Sequence, residues 1–114
     1  MSTKAAIDLA HLARYTGGDA NLNAEILRLF DGQTATLVAS LRAILDARDT
    51  KSWKEVIHSI KGAARGVGAF ALADAAAQCE QIDLTDSAAA GQAIDLVKSR
   101  ADAVQAFVKT QLSR

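Results

Sequence analysis

The sequence predicts an all-α fold, and three features of its composition support that prediction. Apolar residues make up 50% of the 114 residues, but aromatic residues only 4%, and alanine supplies much of the apolar total. The sequence contains no proline. Alanine, leucine and the long charged residues are the best helix formers, whereas aromatic and β-branched residues favour strands. In addition, no segment shows the alternation of period two that a half-buried strand requires.

Apolar periodicity predicts five helices. We expect a short helix over about residues 7–15, which ends at Gly17 and Gly18 because glycine adopts the left-handed conformation at little cost. A long helix over about residues 21–47 follows, and Gly32 gives it a point at which it can bend. The third helix begins at residue 50 or 52, and Gly66 and Gly68 are expected to interrupt it. A fourth helix is predicted over residues 69–81 and a last one after residues 84–87.

Side chains that accept hydrogen bonds from free backbone amides identify the starts of these helices. The candidate N-caps are Asp19 or Asn21 for the long helix, Thr50 or Ser52 for the third, and Asp86 or Ser87 for the last. Short connections between helices of this length favour antiparallel neighbours. The sequence therefore predicts an antiparallel four-helix bundle with a short extra N-terminal helix packed against it.

Size and charge exclude several classes of function. A chain of 114 residues fits one domain, which we place over residues 1–114. Its 13 basic and 13 acidic side chains cancel, so nothing favours nucleic acid or an anionic membrane as a partner. A lone cysteine, Cys79, excludes an internal disulfide. No apolar run approaches the roughly 18 residues of a membrane span, and residues 1–4 do not begin a signal peptide. We expect a soluble, cytoplasmic domain.

The third helix carries polar residues that point to chemistry. If Trp53 marks its core face, then His58, Lys61, Gly62 and Arg65 fall on the opposite face at 100° per residue. His58 and Lys61 are neighbours one turn apart, and Gly62 follows His58 at the four-residue spacing. This placement excludes a buried core histidine, so the plain alternative is a solvated surface histidine beside an ordinary lysine.

Each of these residue types suits group transfer to an imidazole. An exposed neutral imidazole is a nucleophile, and a nearby ammonium disfavours protonation of the ring and stabilises an attached phosphoryl group. A glycine on an exposed helix face loses stability without a packing gain. We therefore infer that Gly62 leaves room for something bulky to approach His58. Arg65 either supports the phosphoryl group or is simply solvated.

The segment from His58 to Gly62 (HSIKG), with Gly68 and residues 69–72 (AFAL) after it, resembles the His-x-x-Lys-Gly motif of histidine-containing phosphotransfer (HPt) domains. Residues 15–19 (YTGGD) and 78–80 (QCE) are also similar to that family. Two positions differ from it. Ile57 stands where the family often has a small residue, and Ala63 and Ala64 stand where it often has hydroxyls.

The resemblance implies a phosphorelay intermediate. His58 would accept a phosphoryl group from a receiver-domain aspartate and pass it to another, Lys61 would stabilise its charge, and Gly62 would let the receiver close over the ring. The expected partners are response-regulator receiver domains and a (hybrid) histidine kinase. Mg²⁺ would belong to the receiver, with no cofactor or metal bound by this chain. By the same resemblance an apolar patch would dock the receiver, with Leu12, Leu22 and Leu29 as candidates, whereas we expect Ile26 to be a core residue. We expect a monomer.

Other residues of the sequence give weaker evidence of a function. His11 lacks a basic partner and a glycine, so packing or exposure is expected rather than catalysis. Cys79 falls on the apolar face of the fourth helix, which favours a core role. The glycines of residues 62–68 follow no strand and lack the GxxxxGK[ST] pattern, which argues against an ATP-using kinase.

The alternative function is a helical adaptor or inhibitor that binds a kinase or receiver without being phosphorylated. The dimerisation region of a histidine kinase fits less well, because four helices can close their own core.

Overall fold

A computed structural model describes residues 5–113; residues 1–4 and 114, which include the segment considered for a signal peptide and the ends of the predicted domain, lie outside the described range. Within residues 5–113 the structure has five α-helices and no strand. The helices are α1 (Leu9–Thr16), α2 (Ala20–Ala47), α3 (Thr50–Val67), α4 (Phe70–Cys79) and α5 (Ser87–Leu112). The all-α prediction is confirmed.

Aspartates begin four of the five helices. The side chains of Asp8, Asp19, Asp49 and Asp86 each accept a hydrogen bond from the backbone N–H three residues later. Such a bond satisfies one of the amides that a helix start leaves without a partner. The prediction of Thr50 or Ser52 as the cap of α3 is wrong. Asp49 precedes both, and its carboxylate accepts from the Ser52 amide at 3.1 Å.

Two helix boundaries also differ from the prediction. Helix α3 continues through Gly66 and ends at Gly68, whose φ of 88° is the left-handed conformation that stops a helix. A helical glycine costs only about 1 kcal/mol relative to alanine, and here Ala64 and Val67, on either side of Gly66, are both buried. Their packing keeps the helix intact across Gly66. Helix α4 is shorter than predicted at both ends.

The core lies between α2, α3, α4 and α5. Each of these helices packs against two others, in the pairs α2–α5, α2–α3, α3–α4 and α4–α5, and α1 packs on α2 and α3. This closed ring of contacts confirms the four-helix bundle with a short extra helix. Among residues 5–113 the largest fully buried side chain is Trp53, and Leu41, Ile57 and Ile60 of the same core are 0% exposed. Among residues 5–113, no helix is both long and apolar enough to span a membrane.

A close backbone contact joins the N-terminal segment to the corner between α3 and α4. The Asp8 amide donates to the Gly68 carbonyl at 2.9 Å. A Cβ atom added at Gly68 would lie 2.7 Å from the Asp8 carbonyl oxygen. Position 68 therefore needs glycine for two reasons, its positive φ and the approach of this second chain segment.

Candidate functional site

His58 lies on the outer face of α3, in the middle of the helix. Its neighbour Ile57 and the nearby Ile60 are 0% exposed, whereas His58 itself is exposed. No hydrogen bond to the His58 ring occurs among the side chains of residues 5–113. The ring is therefore open to a partner. Ile57, which departs from the family pattern, points into the core and does not cover it.

Gly62 leaves open space one turn after His58. It is exposed, and a Cβ atom built on it would meet no heavy atom within 4 Å, apart from the backbone of its own helix. Nothing in the fold of residues 5–113 thus requires glycine here. Because glycine has no side chain, nothing projects from position 62 of α3 beside the imidazole.

Lys61 is not a free cation. Its Nζ donates to Glu80 Oε1 at 2.5 Å, across the interface between α3 and α4. The lysine side chain is 16% exposed and that of Glu80 33% exposed. The hydrogen bond from Lys61 is the main cause that lowers the pKa of Glu80; the charges of Lys61, His58 and Arg65 lower it further, while partial desolvation opposes them. Glu80 therefore belongs to the same electrostatic neighbourhood as His58.

Sequence reasoning missed the Lys61–Glu80 pair. The two residues are 19 positions apart and lie on different helices. The only signal for Glu80 was the similarity of residues 78–80 to the HPt family. That similarity gave no indication of what the carboxylate contacts, because the contact depends on how α3 and α4 are rotated against each other.

A buried hydrogen bond fixes the end of α4 that carries Glu80. The indole Nε1 of Trp53 donates to the Cys79 carbonyl at 3.0 Å. Cys79 is 0% exposed, and burial raises the pKa of its thiol to about 11, so the thiol stays protonated and unreactive at neutral pH. This agrees with the predicted core role of Cys79. Trp53 thus holds α4 against α3 one residue before Glu80.

Arg65 lies two turns after His58 on α3 and is exposed. Among residues 5–113, it takes part in no ion pair. Its guanidinium still acts on the Glu80 carboxylate through space, since its charge helps to lower the pKa of Glu80. The two cations near His58 therefore differ: Lys61 is held by a carboxylate, and Arg65 is not.

The residues predicted to dock a receiver divide into two groups. Leu12 is 1% exposed and belongs to the core, so its prediction as a docking residue is wrong: the apolar face of α1 packs inward on the bundle. Leu22 and Leu29 on α2 are 39% and 64% exposed. Tyr15, which the prediction did not include, is 68% exposed. Ile26 packs against the core, which agrees with the expected core role.

An open groove runs beside the site between α2 and α3. Its walls are Gly32, Gln33, Thr36 and Leu37 on α2 and Ser59 and Ala63 on α3. Ser59 and Ala63 are the immediate chain neighbours of His58 and Gly62. The low surface at Gly62 therefore continues toward α2, on the side away from the Lys61–Glu80 pair.

His11 is the other histidine of the chain. It is half-buried on α1, with edge-on ring contacts to Tyr15 and Phe70 at centroid distances of 5.5 and 5.1 Å. Its Nε2 is buried and finds no hydrogen-bond partner among residues 5–113. Of the two placements that the sequence left open for His11, partly packed or exposed, the structure shows the first. Residues 5–113 contain no group of three or more His, Cys, Asp or Glu side chains placed to hold a metal ion.

An antiparallel four-helix bundle that exposes one imidazole beside a lysine and a glycine is suited to carrying a transferable group on histidine. The family model described as the Hpt domain matches residues 25–107, a range that includes His58, Lys61, Gly62 and Glu80. The chain belongs to the Hpt domain family. Membership supports a histidine phosphotransfer role in a phosphorelay, in which Hpt domains interact with receiver domains and histidine kinases. Comparisons with curated proteins and with solved structures gave no match.

Proposed function

We propose that this chain is a phosphorelay intermediate that carries the phosphoryl group on His58. A lone pair of the neutral imidazole forms the N–P bond while the P–O bond of a receiver's aspartyl phosphate breaks. The bonding electrons of that P–O bond remain on the receiver's carboxylate, and the second ring nitrogen keeps its proton. The reverse step, with a different receiver aspartate as acceptor, passes the phosphoryl group on.

The observation that supports this proposal most strongly is the exposed His58 ring beside the open space at Gly62. Phosphoryl transfer needs the attacking and leaving atoms roughly in line, and catalysis depends on positioning and charge stabilisation. A receiver's aspartate usually lies within its own acidic site, so its donor atom reaches His58 only if no side chain of α3 stands in the way. Gly62 provides that access.

The cations beside His58 have an electrostatic role in the proposal. A phosphoryl group on the imidazole adds negative charge, which Lys61 is close enough to stabilise because it lies one turn away. Arg65, which is exposed, supports the same charge from farther along the helix. The divalent ion belongs to the receiver, and this chain contributes the histidine and the cations.

The proposed docking surface combines the groove beside Ser59 with exposed apolar residues of α1 and α2. Leu29 on α2 and Tyr15 on α1 are the most exposed of them. Transient signalling contacts are modest in area, so a few such residues suffice. In the proposal the chain acts as a monomer in the cytoplasm, where it exchanges phosphoryl groups with successive receivers.

The test is to incubate the purified chain with a receiver domain phosphorylated at its aspartate and to follow the label. We expect an acid-labile, base-stable adduct on wild type and none on His58→Gln, with both proteins equally helical by circular dichroism. His11→Gln is the matched control and should be labelled like wild type. Labelling of His58→Gln would refute the assignment. Binding of the receiver by wild type without any label would instead support a non-phosphorylated adaptor.

A further inference from the structure

The Lys61–Glu80 pair is a contact of the unphosphorylated protein that a phosphoryl group on His58 would compete with. Lys61 has one ammonium, which in this structure is bound to Glu80. When the neighbouring imidazole carries a phosphoryl group, a second and more highly charged anion competes for that ammonium. Lys61 can reach both anions. The phosphoryl group would sit on His58, one helical turn away, and the Glu80 carboxylate already accepts the hydrogen bond from Lys61.

We infer that Glu80 competes with the phosphoryl group on His58 for Lys61 and thereby shifts the phosphoryl equilibrium toward the partner receiver. The inference rests on the proposed function, which it deepens by assigning Glu80 a regulatory role at the same site. Glu80 is a positioning residue here, since it acts through Lys61. In each transfer the bonds that form and break are those given above, and the only additional change is that the ammonium contact shifts from a carboxylate to a phosphoryl oxygen.

Three observations support the competition. Lys61 is only 16% exposed, so its bond to Glu80 is partly shielded from water and stronger than a freely solvated ion pair. The end of α4 is held by the hydrogen bond between Trp53 and the Cys79 carbonyl, so Glu80 remains beside Lys61. Finally, the hydrogen bond from Lys61 is the main cause that lowers the pKa of Glu80, so the carboxylate is held as the anion that competes for the ammonium.

The competition has a direct consequence for relay direction. A phosphohistidine that binds Lys61 fully is stabilised and retains its phosphoryl group. The loss of the Lys61–Glu80 contact offsets part of the stabilisation that Lys61 gives to phosphohistidine. The phosphohistidine is therefore a better donor of the phosphoryl group. Glu80 therefore keeps His58 poised to give the phosphoryl group to a receiver rather than to store it.

The test measures the equilibrium ratio of phosphorylated His58 to phosphorylated receiver, approached from both directions, for wild type and Glu80→Gln. We expect the variant to raise this ratio about two- to fivefold, the upper part of the range measured for exposed ion pairs. Asp95→Asn is the matched control, because it also removes one negative charge and one ion pair, with Arg42 on the far side of the bundle. It should leave the ratio unchanged.

A second pair of variants separates competition from simple repulsion between two anions. In a Lys61→Met background, Glu80→Gln should no longer change the ratio, since no ammonium remains to be shared. An undiminished rise in that background would overturn the inference, because Glu80 would then act on the phosphoryl group directly. An unchanged or lower ratio for the single Glu80→Gln variant would overturn it as well.

Folding and the proposed function are controlled separately. Glu80→Asp keeps the charge but draws the carboxylate back by one methylene, and we expect a smaller rise in the same ratio. If Glu80→Gln fails to fold by circular dichroism, Glu80→Asp decides the question: an unchanged ratio contradicts the competition. A wild-type protein that takes up no phosphoryl group refutes the proposed function, whereas a labelled wild type with insensitive Glu80 variants refutes only this inference.

Discussion

The indole Nε1 of Trp53 donates a hydrogen bond of 3.0 Å to the backbone carbonyl of Cys79, 26 residues further along the chain. Both residues are almost completely buried, at 1% and 0% exposure. This bond joins the core face of α3 to the end of α4. The opposite face of α3 carries His58, and the residue after Cys79 is Glu80. One buried contact therefore connects the packing of the bundle to the geometry of the candidate site.

Trp53→Phe should destabilise the protein substantially. The variant removes the indole donor, so that the Cys79 carbonyl keeps only the Ile82 amide at 3.2 Å, and it also removes part of a large buried side chain. We expect a loss of about 1–3 kcal/mol in the free energy of unfolding. Urea denaturation followed by circular dichroism measures it. Tyr15→Phe, at a 68% exposed position, is the control and should change stability by less than about 0.5 kcal/mol. Equal stability of the two variants would show that the Trp53 bond contributes nothing.

Gly68→Ala and Gly66→Ala form a matched pair with opposite expected effects. An alanine at position 68 must adopt a φ of 88° and place its Cβ 2.7 Å from the Asp8 carbonyl oxygen. We expect it to cost about 2 kcal/mol or more, since the left-handed conformation alone costs about 1–2 kcal/mol. At position 66 an added Cβ meets nothing within 4 Å, so alanine should stabilise helix α3 by about 0.5–1 kcal/mol.

Thermal denaturation of the two glycine variants reads out both effects. The melting temperature of Gly68→Ala should fall and that of Gly66→Ala should rise or stay level. A loss of stability in Gly66→Ala comparable to that in Gly68→Ala would contradict the continuous helix through residue 66.

Gly62→Ala should separate stability from transfer. Within the described residues 5–113, the added methyl group meets no atom within 4 Å beyond its own helix backbone, so the free energy of unfolding should rise by about 0.5–1 kcal/mol. If Gly62 serves the approach of a receiver, the transfer rate to His58 should nevertheless fall, by about tenfold, because small displacements of reacting groups cost large factors in rate. A larger side chain, in Gly62→Leu, should lower it further.

The measurement for Gly62→Ala combines chemical denaturation with the initial rate of labelling by a phosphorylated receiver. Gly66→Ala is the control, since it adds the same methyl group on α3 two turns away from His58. A Gly62→Ala variant that is labelled as fast as wild type would remove the steric role assigned to Gly62.

The Lys61–Glu80 pair should make stability depend on pH in the acid range. Because the hydrogen bond from Lys61 lowers the pKa of Glu80 below its ordinary value of 4.5, the folded state favours the charged carboxylate. Its contribution is fully present above pH 4.5 and is lost as the pH falls through the lowered folded-state pKa. Wild type should therefore be more stable than Glu80→Gln at neutral pH, and the difference should shrink at pH 3. A difference that stays constant over this range would contradict the pairing.

Much of the architecture could be predicted from the sequence because helix formation here depends on local signals. Apolar periodicity placed five helices in order, and Gly17 and Gly68 marked two of the ends. The cap of α3 was misplaced because Asp49, Thr50 and Ser52 are all good N-caps within four positions, and local propensity does not choose among them. Gly66 was taken for an interruption because propensity was weighed without the burial of Ala64 and Val67.

The site was predictable only in the part that lies on one helix. His58, Lys61 and Gly62 share a face of α3 by spacing alone, and the structure places His58 and Gly62 on the exposed surface. The contact of Lys61 with Glu80 depends on how α3 packs on α4. The apolar periodicity of each helix does not determine that packing. Leu12 was misassigned for a similar reason: an amphipathic helix of eight residues does not reveal whether its apolar face meets the bundle or a partner.

The most direct test of the central proposal is to locate the phosphoryl group on the chain after transfer from a phosphorylated receiver. Peptide mapping by mass spectrometry, kept at alkaline pH to preserve phosphoramidates, should find the modification on His58 alone. Modification of His11 or of an acidic residue, or an unmodified chain after prolonged incubation with receivers that bind it, would contradict the proposal that His58 carries the group.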